Sequence, residues 1–128
     1  MSLFPFRKNH AALSGTEAFV LRQFPAAVAL AAEEWKGYDA YFQNVDPDWR
    51  SKYTLAQRYN GFVRGPVLAL LAERFPEIAA TGAEVDAKTN STGNEDVILQ
   101  IIIAEGIVAS GTSSRQEVRP LRDQDPKL

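Results

Sequence analysis

Cysteine is missing from all 128 positions of this chain, and histidine occurs once, as His10. Without thiols there is no disulfide, no thiolate nucleophile and no cysteine-held zinc or iron–sulfur site. A single imidazole equally leaves out any metal site built on two histidines, and beside Arg7 and Lys8 it reads as an exposed polar residue. No cofactor and no metal are therefore expected.

An excess of charge is lacking as well. Fourteen basic residues face sixteen acidic ones for a net of −2, so bulk charge provides no attraction to phosphate or to anionic lipid. Long apolar runs are absent too: the best candidate, Val97 to Ala109, is interrupted by Gln100, Glu105 and Gly106 and is too short to cross a bilayer. The opening residues MSLFPFRKNH do not follow the charged-then-apolar order of a secretory signal, which points to a cytoplasmic or intracellular protein. Gly61 to Gly65 lacks the lysine and hydroxyl residue that would complete a phosphate loop.

What is present suits a globular domain: 45% hydrophobic and 23% charged residues in one domain's length of chain. Ser14-Gly-Thr-Glu17 is spaced as a capping box, which starts a helix at about residue 15. Phe24-Pro25 restarts it, since proline fits a first turn and not a helix interior. Phe24, Val28, Ala31, Trp35, Tyr38 and Phe42 then recur at spacings of three and four, placing an apolar stripe on a helix that runs to about Gln43. Asp46-Pro47-Asp48 opens a further helix lined by Trp49, Tyr53, Ala56 and Val63 and widened by Leu55, Tyr59 and Phe62. Gly65-Pro66 reads as a break, followed by a short helix through Val67, Leu70, Leu71 and Phe75 that stops before Pro76.

Residues 76–93 read as an exposed loop. Thr92-Gly-Asn-Glu95 and Ser110-Gly111 bracket a largely buried helix over 94–109, although the β-branched run VILQIII and the alternation at 83–88 also fit strands. A last short helix is expected from Ser113 or Ser114 to just before Pro120. The fold class is thus mainly α: a compact single-domain bundle of about five to six helices, with 1–13 as an extended N-terminal arm, 14–120 as the helical domain and 121–128 as a polar tail. The alternative is α+β, with a small sheet formed from about 83–110.

Candidate chemistry is thin. Glu33, Glu34 and Asp39 could bind a divalent ion only if the fold brought them to Glu95, Asp96 or Glu105, and no spacing requires that. Charge is segregated instead. Residues 24–48 carry five carboxylates against Lys36, a net of −4, whereas 49–64 carry Arg50, Lys52, Arg58 and Arg64 with no acid. With Tyr53 and Tyr59 among them these cations resemble a stacking stripe for single-stranded nucleic acid, but two neighbouring helices of opposite charge complement each other more simply, so nucleic acid is not the expected partner. The helix, glycine and short helix from Ile101 to Glu117 outline a helix-turn-helix without the long polar face of a recognition helix.

The surplus is in aromatics. Trp35, Tyr38, Tyr41, Phe42, Trp49 and Tyr53 crowd one stretch, with Tyr41 off the main stripe, and tryptophan and tyrosine anchor interfaces when they are not core. The expected function is that of a non-catalytic protein–protein interaction module, a structural or adaptor subunit of a larger assembly. Its partner-binding residues would be Leu3, Phe4 and Phe6 in the arm together with Tyr41 and Trp49, toward a protein partner or a second copy and not toward a membrane. The alternatives are a small acidic inhibitor or immunity-type protein using the acidic 77–105 region, and a carboxylate-dependent enzyme.

Overall fold

A computed structural model describes residues 15–81, 94–112 and Val118 of the chain. The architecture is a mainly α bundle: α1 (Gly15–Gln23), α2 (Pro25–Val45), α3 (Trp49–Lys52), α4 (Leu55–Arg58), α5 (Arg64–Arg74), α6 over the described residues 77–81, and α7 (Asn94–Ala109). A π-helical segment, Tyr59–Val63, joins α4 to α5 without a loop. Leu3, Phe4 and Phe6, the rest of the arm, the cap at Ser14, the tail and most of the last short helix lie outside the described residues; Val118 is helical and joins the core.

The restart at Phe24-Pro25 is as the proline requires. Phe24 leaves helical torsions (φ −128°, ψ 53°), and Pro25 occupies the first turn of α2, where its missing N–H costs nothing. At 21 residues α2 is about 31 Å long and forms the spine of the bundle. Its buried line is Ala27, Ala31, Trp35 and Asp39, with Phe24 below it, whereas Val28, Tyr38 and Phe42 are half-buried. The inward face is therefore rotated from the apolar stripe in the sequence so that it takes in a carboxylate.

The chief partner of α2 is α7, which also packs on α1. Ile98, Leu99, Gln100, Ile101, Ile102 and Ile103 are buried in succession, and Ile107 follows, so α7 is enclosed on every side. That enclosure decides between helix and strand. Isoleucine in a helix costs up to roughly 0.7 kcal/mol relative to alanine, while burying its side chain contributes roughly 1.5–3 kcal/mol. The sheet alternative is thereby corrected: 94–109 is helix, and residues 83–93 lie outside the described residues. Gly106 sets the approach of the two helices, since a Cβ there would stand 2.6 Å from Ala31 Cβ and 2.9 Å from the Ala32 nitrogen. At its end α7 stops as Ser110-Gly111 requires, with Gly111 in the left-handed region (φ 84°) and its N–H donating to Val108.

Three further differences from the sequence reading have local causes. The helix expected from 47 to 64 breaks at Tyr53, because Thr54 and Gln57 form a reciprocal capping box that starts α4 anew. Gly65-Pro66 is no break: Pro66 lies in the first turn of α5, where no intrahelical partner for its nitrogen is needed. Within 76–93, residues 77–81 are helical and Ile78 is fully buried, so this part is not an exposed loop.

Candidate partner-binding surface

The corner between α2 and α3 is built around Asp39, which is 2% exposed. Trp49 Nε1 donates to Oδ1 at 2.7 Å, Arg50 Nε and Nη2 reach Oδ2 at 2.9 and 2.8 Å, and Arg58 Nε stands 3.7 Å from Oδ1. A buried carboxylate demands such compensation, for an unpaired charge in an apolar interior is strongly unfavourable. Both oxygens are engaged, which removes Asp39 from the carboxylates that could act on a substrate. Among the described residues no three of Asp, Glu, His or Cys gather as metal ligands.

The turn itself is tied outside this hub. The Asp48 amide donates to Asp46 Oδ1 at 3.0 Å, Lys52 Nζ meets Asp46 Oδ2 at 2.7 Å, and Gln43 bonds both the Pro47 carbonyl and the Arg50 amide. Lys52 and the Asp48 amide hold the Asp46 carboxyl below its ordinary range, and the same contact raises the Lys52 ammonium. Opposite charges on successive segments do complement each other, partly in the interior and not only along exposed flanks. Tyr59 is buried at 1% exposure and offers no ring face on which a base could stack.

On this fixed corner stands a continuous aromatic cluster. Phe42 stacks on Trp49 at 4.6 Å between centroids, and Phe62 meets Trp49, Tyr53 and Phe42 at 5.0, 5.3 and 5.7 Å. Tyr41 adds an edge contact to Phe42 at 5.3 Å. Such offset and edge-on pairs hold rings in place. Two of its members are not covered, Tyr41 at 61% exposed and Phe62 at 41%, and Val45, about one turn beyond Tyr41 on α2, is 63% exposed.

Tyr41 thus lies at the surface. Trp49, in contrast, is 2% exposed and supports the cluster from within, its indole N–H already used by Asp39. Leu3, Phe4 and Phe6 fall outside the described residues. Phe62 is the member that sequence reasoning assigned to a packed stripe. Leu55, Tyr59, Val63, Val67 and Leu71 are the buried residues there, spaced by four. A straight α-helix would rotate such a line by about 40° at each step; the wider π turn over Tyr59–Val63 takes back part of that rotation and leaves Phe62 on the outer side.

Beside Tyr41 the outer face of α2 holds a shallow groove of about 380 Å³ lined by Glu33, Glu34, Gly37, Tyr38 and Tyr41. Neither glutamate has an ion-pair partner among the described residues. Comparison with family models, with curated protein sequences and with solved structures finds no match to this chain.

Proposed function

We propose that this chain is a non-catalytic protein–protein interaction module, a structural or adaptor subunit that docks through the outer end of α2 and the adjoining Phe62. The observation that carries the reading is the exposure of Tyr41 and Phe62 on a cluster of rings already held in place by Trp49 and Phe42, with Val45 exposed about one turn beyond Tyr41 on the same helix. Exposed aromatic and aliphatic side chains that are immobilised from below lose little entropy on binding, which is the property of interface anchors. Nothing in the folding of the chain itself requires them to face water, since each would gain by burial.

The test is capture of the binding partner from the native source by the full chain and by Tyr41→Asp, Val45→Asp and Phe62→Ser variants, with light scattering to detect self-association. Binding or self-association should fall at least tenfold in the variants while the helical circular dichroism stays unchanged. Undiminished capture and an unchanged oligomeric state in all three would reject the surface.

A further inference from the structure

We infer that the groove on α2 receives an arginine side chain of a protein partner, inserted over Gly37 between Tyr41 and the paired carboxylates of Glu33 and Glu34. The inference rests on the proposed docking role of this end of α2 and supplies the chemistry of the partner.

Charge complementarity comes first. Two carboxylates on or just beyond α2 are satisfied within the chain, Asp39 by Arg50 and Arg58 and the C-terminal cap Asp46 by Lys52. Glu33 and Glu34 receive no cation among the described residues, although they border the shallow groove. Lys36 is the one basic residue on the same helix; it is exposed and makes no ion pair among the described residues, and an exposed pair with Glu33 would be weak.

The rings come second. Tyr41, 61% exposed, and the half-buried Tyr38 both line the same groove, and a cation over a tyrosine face is attracted by the ring quadrupole. Gly37 is the third feature, and no described contact accounts for it: it lies exposed in the middle of a 21-residue helix, and no described residue stands within 4 Å of the place its Cβ would take. Glycine there weakens the helix relative to alanine, with no packing against a described residue in return. Its effect is an uncovered floor between Glu33 and Tyr41, which precede it and follow it by about one turn. A planar guanidinium can lie on such a floor, stack on a tyrosine ring and offer two parallel N–H groups to a carboxylate; a lysine ammonium can do only the ionic part.

The probe is an acetylated alanine-based peptide carrying two arginines, compared with its lysine and citrulline counterparts by nuclear magnetic resonance titration of the full chain. The arginine peptide should shift the Gly37, Tyr38 and Tyr41 amides saturably, the lysine peptide should bind at least fivefold more weakly, and the uncharged citrulline peptide should leave these signals unmoved. Glu33→Gln with Glu34→Gln should weaken the arginine peptide about tenfold, and Gly37→Leu should abolish binding while the helix stays as stable or gains. Equal response to citrulline, or full affinity in the double glutamine variant, overturns the inference. The two readings fail separately: if Val45→Asp and Phe62→Ser lose the native partner while the double glutamine variant keeps it, the docking surface stands and the arginine is wrong, whereas if those two variants keep the partner the docking role itself is rejected.

Discussion

Asp39 ties together the corner between α2 and α3, since one buried carboxylate accepts an indole N–H and meets two guanidinium groups. Asp39→Ala would leave the buried Trp49 N–H without its acceptor and would take away the carboxylate 3.7 Å from Arg58, which is 12% exposed, and breaking a buried pair on one side costs about 3–5 kcal/mol. Half of Arg50 is open to water and softens the loss, so about 3 kcal/mol is the expected outcome in urea unfolding; a change below 1 kcal/mol would show the network to be ornamental. Trp35 is the comparable apolar residue. Its ring is 1% exposed, edge-on to Tyr59 at 6.3 Å, and its Nε1 donates to Thr112 Oγ1 at 2.8 Å. Because Ser110 Oγ gives its proton to the Ile107 carbonyl at 2.6 Å, the Ser110–Thr112 contact of 2.8 Å must have Thr112 as donor. The bonds then run in one direction from the α2 indole to the last turn of α7. Trp35→Ala should destabilise by about 3–5 kcal/mol through the cavity it leaves, and Thr112→Val by about 1 kcal/mol through the lost acceptor.

Among the elements, α2 carries two opposite demands on glycine and alanine. At its crossing with α7 the spacing admits no extra atom, because the added Cβ of Gly106 would meet Ala31 Cβ and the Ala32 backbone nitrogen. Gly106→Ala should therefore destabilise by about 1–3 kcal/mol as the helices part. On the other face Gly37 meets nothing, so Gly37→Ala should stabilise by about 0.5–1 kcal/mol. Paired thermal melts would check both, and the same sign for the two variants would contradict this account of how α2 and α7 pack. The α2–α3 corner has its own pH signature. Asp46 is lowered, so its link to Lys52 persists as pH falls through the usual carboxylate range and is lost only below it; Lys52 is raised, so its side of the pair is lost only when pH climbs past the raised ammonium value. A carboxyl-carbon titration of Asp46 should show a midpoint below the ordinary aspartate value, and Lys52→Gln should move it upward.

For the whole molecule, no described helix is long and apolar enough to cross a membrane, and the core is one cluster running from Val20 through Trp35, Leu71 and Ile102 to Val118. All described helices feed that cluster except α3, which attaches through Asp39 and the rings at the corner. Removing residues 1–9 cuts none of these described contacts. The truncated chain should keep its helical circular dichroism and its melting point within a few degrees, whereas any self-association or partner binding carried by Leu3, Phe4 and Phe6 should weaken. Unchanged association would leave the aromatic end of α2 as the surface that matters.

The sequence by itself determined the helix boundaries that depend on neighbours a few positions away: the restart at Pro25, and the stop at Ser110-Gly111. Caps, prolines and left-handed glycines act through backbone torsions and hydrogen bonds within one turn, so they are legible without the fold; the box at Thr54 and Gln57 was equally open to reading, and its omission merged α3 with α4. Only the tertiary structure decided which side of α2 faces inward, because burying Asp39 becomes favourable only when Trp49, Arg50 and Arg58 arrive from other segments. It also decided that the β-branched stretch of α7 is helix, since enclosure by α1 and α2 outweighs intrinsic propensity. The exposure of Phe62 and the open floor at Gly37 belong to the same class: whether a side chain meets water depends on what the rest of the chain leaves uncovered, and no local pattern encodes that.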